Sequence, residues 1–139
     1  MKYIFCITAI FFSVLVKGQV GAGGEEKKDT ALKDPKVSKT LYGIASYYAD
    51  KFNGRETANG EVYDGTKMTA ACNVLPMGTW IRVTNLSNHR SVIVKTNDRL
   101  HARMTRIVDL SRVAAEKLGY IGKGLTKVKV EVLEKIQIP

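Results

Sequence analysis

Val128, Val130 and Val132 alternate with Lys127, Lys129 and Glu131, a period of two that a β-strand with one wet face satisfies and a helix does not. A sheet must therefore form around this segment. Two further stretches share its character: Trp80-Ile81-Arg82-Val83, and residues 91–96, where Val92 and Val94 alternate with Ser91, Ile93 and Lys95. Joined through residues 85–90, they predict a β-hairpin. Ile93, facing away from the two valines, suggests a strand buried on both sides. Trp80, inside the same apolar run, is assigned to the core. A first strand is expected over residues 41–48, rich in tyrosine and other β-favouring types. Residues 50–60 carry Asn53-Gly54 and Asn59-Gly60, which is turn chemistry.

The period changes once. After a short apolar stretch over residues 107–110, Ser111 is placed to cap a helix over residues 112–118, with Val113, Ala114 and Leu118 on one face and Gly119 ending it. Several short strands and so little helix favour a small closed barrel, because closure removes exposed edges.

The ends of the chain have another character. Residues 1–18 read as an export signal: Lys2 opens them, an apolar run follows, and the small residues Val16 and Gly18 suit cleavage before Gln19. The run is shorter than the roughly 20 residues a membrane span needs, so no integral span is expected in the mature chain. Cys6 lies too early in the run for a lipid anchor. Residues 19–40 are read as a solvated linker of Gly, Glu, Lys, Asp and Ser, too polar to build a core. Residues 41–133 are left as one domain, with 134–139 as a tail.

Lys2 and Lys17 leave with the signal, so the formal charge of +9 falls by two and stays strongly basic. Anionic surroundings are favoured. For an exported protein these are wall polymers and headgroups; nucleic acid is not expected, because the cations are scattered singly and no basic block is interleaved with aromatics. Cys6 leaves too, so Cys72 has no partner and the domain must fold without a disulfide.

The conspicuous polar residues sit where loops meet strands: Thr57-Ala58-Asn59-Gly60-Glu61-Val62-Tyr63-Asp64, Met68-Thr69-Ala70-Ala71-Cys72, Leu75-Pro76-Met77-Gly78-Thr79, Val83-Thr84-Asn85-Leu86, Thr96-Asn97-Asp98-Arg99 and Arg106-Ile107-Val108-Asp109-Leu110-Ser111. In this order and spacing, and with the opening Gly43-Ile44-Ala45-Ser46-Tyr47-Tyr48, they closely resemble the rare lipoprotein A family, from Gly43 through Val132. The resemblance implies a mainly β fold, a six-stranded double-psi β-barrel with one or two short helices, related to expansin and barwin-like wall proteins. It also implies a groove for an extended glycan. Active members are endolytic lytic transglycosylases that cut peptide-poor peptidoglycan strands to 1,6-anhydro products in cell-wall remodelling. An exported protein of the periplasm or cell envelope, or a secreted one, is expected, acting as a monomer without cofactor or metal.

The chemistry needs one carboxyl, acting as acid on the departing oxygen and then as base on the sugar's own 6-hydroxyl. It must carry a proton near neutral pH, which burial or a neighbouring carboxylate favours. Asp98 matches the family's catalytic aspartate, and Glu61 its groove glutamate. Read alone, the first is an aspartate turning the chain after a strand and the second a solvated loop residue. Tyr47, Asn59, Tyr63, Cys72, Asn97 and Arg99 are the expected substrate-binding residues. Of Tyr47 and Tyr48, neighbours on a strand, one is expected to be buried. Arg99 either neutralises a substrate carboxylate or pairs with Asp109, which is otherwise read as structural.

Two departures from the family bear on activity. Cys72 stands where active members carry histidine, a better hydrogen-bonding partner than a thiol. Leu100-His101 replaces the usual Gly-Pro, and His101 is a candidate substitute for the imidazole. The alternative function is therefore a glycan-binding module with little or no turnover. A thiolate nucleophile at Cys72 lacks any recognisable base by spacing.

Overall fold

A computed structural model describes residues 34–134. The expected signal, most of the linker and nearly all of the tail lie outside the described residues. The elements are β1 (Val37–Tyr47), a single 3-10 turn (Asp50–Phe52), β2 (Thr69–Ala71), β3 (Trp80–Asn85), β4 (Ser91–Asp98), β5 (Val108–Leu110), α1 (Arg112–Leu118) and β6 (Thr126–Leu133). They close into a barrel in the order β1-β5-β2-β4-β3-β6. β1 and β5 are parallel, as are β2 and β4; every other neighbour is antiparallel. This is the closed, six-stranded, mainly β architecture expected, with one α-helix.

The barrel has one interior, and the valine alternations fill it. Ile81, Val83, Val94, Val108, Leu110 and Val128 are fully buried, with Ala114, Ala115 and Leu118 of α1 packed into the same cluster. β4 corrects the expectation of a strand buried on both faces: its outward residues alternate with buried ones, and Ile93 is 38% exposed. Trp80 also departs from the core assignment. It shares the half-buried outer face of β3 with Arg82 and Thr84, and the Lys95 ammonium lies 5.6 Å from its ring. Both residues follow the phase set by their inward neighbours, since an apolar side chain on the outside costs little.

β1 begins at Val37, ahead of the expected residue 41, because Lys39 and Thr40 pair with Val132 and Glu131 of β6 through the backbone. Close approach explains Gly43, where a Cβ would meet Ile107 Cβ at 2.8 Å. Gly119 ends α1 in the left-handed conformation (φ 77°) as predicted. Ser111 occupies the cap position with extended backbone, but its buried hydroxyl bonds nothing among the described residues.

Registers place the chemistry. Ser46 pairs with Asp109, Asp109 with Ala71, and Ala71 with Asp98, so one row across β1, β5, β2 and β4 carries two aspartates. Ala70 pairs with Thr96 and Ala71 with Asp98, which leaves Asn97 as an extra residue in β4. Such a bulge re-aims the side chains that follow it. Thr96 and Asn97 are consequently both buried, and Asp98 turns half outward.

Candidate active site

That row borders a groove of about 670 Å³ lined by Tyr47, Tyr48, Phe52 and Tyr63 together with Asp98, Arg99 and His101. Asp98 is half-buried. Its Oδ1 accepts from the backbone N–H groups of Ala58 (2.9 Å) and Arg99 (2.8 Å), and its Oδ2 from the Tyr48 hydroxyl (2.5 Å). It makes no ion pair among the described residues. Asp109, the other aspartate of the row, is gripped by both forks of Arg106 at 2.8 and 3.0 Å, in keeping with its structural reading. Arg99 does not pair with it. Its Nη1 donates to the carbonyls of Cys72 and Leu75 instead, pinning the turn that follows β2.

Tyr47 and Tyr48 are both half-buried rather than one being buried, and both line the groove. The Tyr47 hydroxyl donates to Ile121 O (2.9 Å), and its ring meets Tyr120 edge-on. Tyr48 stacks on Tyr63 with ring centres 4.2 Å apart, and Phe52 meets its edge at 5.9 Å. Burial first, and then the bond to Asp98, push the Tyr48 phenol far above the ordinary tyrosine range. It stays protonated and can serve Asp98 as a donor.

Glu61 stands on a loop clamped to the end of β4. Its carboxylate accepts from Asn97 Nδ2 (3.1 Å) and Asn59 Nδ2 (2.9 Å), and the same loop offers the Ala58 N–H to Asp98. Glu61 is exposed and does not line the groove itself; it is tied to Asp98 through the loop and Asn97. Asn97, only 4% exposed, and Asn59 act as its clasps rather than as groove-lining groups.

Those two hydrogen bonds hold the Glu61 carboxyl below its ordinary value of 4.5. A lowered folded value means the clasp is fully formed above pH 4.5 and is lost only as pH falls through that lowered value. The Asn97 side-chain amide signals should therefore titrate with a midpoint below 4.5 in an NMR pH series. A midpoint at or above 4.5 would contradict the clasp.

Cys72 requires a correction. It is 0% exposed and belongs to the apolar core, so its thiol cannot contact a ligand in the groove. Only its backbone serves the site: its N–H donates to Asp98 O (3.0 Å) and its carbonyl receives Arg99. Burial equally removes the thiolate-nucleophile reading. His101 is an exposed loop residue on the groove rim whose Nδ1 accepts from Arg103 N (3.3 Å). Of the expected binding residues, Tyr47, Tyr63 and Arg99 line the groove, while Asn59, Cys72 and Asn97 do not. Phe52, Arg55 and Arg106 also line it; Phe52 lies in a segment whose sequence signals only turns.

A closed barrel of two parallel strand pairs, with a half-buried carboxyl on an aromatic-walled groove, defines the class as a double-psi β-barrel. The family described as "Lytic transglycolase" matches residues 40–130, and the chain belongs to it. It is 50% identical over 97 residues to the endolytic peptidoglycan transglycosylase RlpA of Pseudomonas aeruginosa strain UCBPP-PA14, an alignment covering 70% of this chain and 28% of that protein. The RlpA of Pasteurella multocida is 50% identical over 92 residues, covering 66% and 31%. The chain thus spans less than a third of the length of these relatives. Among solved structures, a Clavibacter michiganensis expansin mutant in complex with cellohexaose has a TM-score of 0.59 at 20% identity, covering 73% of this chain and 54% of that one. The Streptomyces papain inhibitor gives 0.58 at 21%, covering 73% and 100%. Both share the fold.

Proposed function

We propose that this domain is an endolytic peptidoglycan lytic transglycosylase, cutting peptide-poor glycan strands to 1,6-anhydro products in the cell envelope. The observation that carries the reading, beside family membership, is Asp98 on the groove without a cationic partner. Asp109, by contrast, has both carboxyl oxygens occupied by Arg106. Asp98 protonates the glycosidic oxygen as the bond to the ring carbon breaks and charge builds on the sugar. The sugar's 6-hydroxyl then bonds to that carbon, and its proton passes to the Asp98 carboxylate, restoring the acid. No second nucleophile is needed. The aromatic wall suits sugar faces, and the basic surplus suits an anionic polymer. Export to the periplasm or envelope, directed by residues 1–18, belongs to the same proposal, as does action as a monomer.

A glycan-binding module without turnover is the alternative, favoured by the buried Cys72 thiol, which offers Asp98 no acid–base partner. Product chemistry separates the two. Purified protein incubated with peptide-free glycan should yield 1,6-anhydro ends by mass spectrometry; binding with no such ends selects the module.

A further inference from the structure

Tyr48 and Asp98 lie 50 residues apart in sequence, yet the hydroxyl of one meets Oδ2 of the other at 2.5 Å. A carboxylate offers about four lone-pair sites. Backbone N–H groups of Ala58 and Arg99 take two at Oδ1, and Tyr48 takes one at Oδ2. The vacant site is on Oδ2, so a transferable proton belongs on the oxygen that Tyr48 touches. The phenol is preset for this contact by its stack on Tyr63 and its edge contact with Phe52.

We propose that Tyr48 is the positioning residue of the site, fixing Oδ2 of Asp98 toward the groove and strengthening its hydrogen bond as that oxygen gives up its proton. The inference rests on the lytic reading above. A hydrogen bond to a neutral carboxyl is weak, and one to a carboxylate is charge-assisted. The Tyr48 contact therefore gains strength where negative charge develops, which lowers the barrier rather than tightening substrate binding. The other charged groups around the carboxyl are already accounted for: Arg99 is spent on carbonyls, Asp109 is held by Arg106, and Glu61 is clasped by asparagines. Lys51, Arg55, Glu56 and His101 are the remaining charged or titratable side chains lining the same groove, beside the phenols of Tyr47 and Tyr63.

Tyr48→Phe removes only the hydroxyl. On peptide-free glycan kcat should fall about 10- to 100-fold, the size of a charge-assisted hydrogen bond, with KM nearly unchanged. The alkaline limb of the rate profile should move upward, since the ionised form has lost a donor. A purely structural tyrosine would lower the melting temperature and leave the limb in place, and that result overturns the proposal. Carboxyl-carbon NMR of Asp98 reads the same contact without turnover. Its response to titration should change in Tyr48→Phe, and an unchanged response overturns the assignment. Absence of 1,6-anhydro ends from the unaltered protein would instead sink the lytic reading and leave the contact to the titration. If Tyr48→Phe does not fold, the unaltered protein still decides: the Tyr48 hydroxyl proton should appear as a slowly exchanging downfield signal, and its absence counts against the contact.

Discussion

Asp98→Asn is expected to lower the release of 1,6-anhydro ends by about 100- to 10,000-fold, the usual cost of losing a general acid. The amide is close in size to the carboxyl, and its oxygen can go on accepting from the N–H groups of Ala58 and Arg99. Its nitrogen can face Tyr48, whose hydroxyl accepts as well as donates. What disappears is the transferable proton and the carboxylate that recovers it. The barrel should stay folded, and glycan should still bind. The measurement is a mass-spectrometric rate beside a melting curve and a binding isotherm on the same preparation. A folded, glycan-binding Asp98→Asn protein that still cuts at the original rate would remove Asp98 from the chemistry. Asp109→Asn makes a useful contrast. It breaks the fork with Arg106, so its damage should appear first in the melting curve.

How much of this was legible in the sequence depends on which physical signal a residue carries. Ile81, Val83, Val92, Val94, Val128 and Val130 announce their strands because one-sided burial imposes a period of two. Apolar character alone misplaces Trp80 and Ile93, because the period of two outweighs it. The phase of their neighbours already put both outside. Helix α1 was legible from its change of period and from Gly119, while the missing Ser111 cap bond was not. The site is a different matter. Asp98 is aimed by the bulge at Asn97, an extra residue that breaks the alternation and leaves no mark in composition. Tyr48 meets Asp98 only because the barrel closes, and the clasp on Glu61 needs Asn97 to turn inward. Spacing identified the residues through a family pattern; contacts across the barrel assigned their partners. Arg99 shows the difference, since its spacing allowed an ion pair with Asp109 that Arg106 in fact makes.

Cys72→His is expected to destabilise the domain rather than improve it. The substitution restores the residue type carried by active members of the resembled family, and a groove-facing side chain would accept it. Here the side chain is 0% exposed within the apolar cluster. An imidazole is larger than a thiol, and overpacking a filled core costs about 1–3 kcal/mol. Its two nitrogens also need partners, and each buried polar group left without one costs about 1–3 kcal/mol more. For a domain of this size the sum corresponds to a fall in melting temperature of roughly 10 °C or more. Cys72→Ala separates the causes: it adds neither bulk nor polarity, and should lose far less stability. Alkylation gives an independent reading, because a core thiol reacts only when the barrel opens. Slow labelling of the native protein, accelerating with denaturant, is the expected pattern. Rapid native labelling together with an unchanged melting temperature for Cys72→His would place the thiol in the groove. It would also return an acid–base role to that position, reducing the dependence of Asp98 on Tyr48.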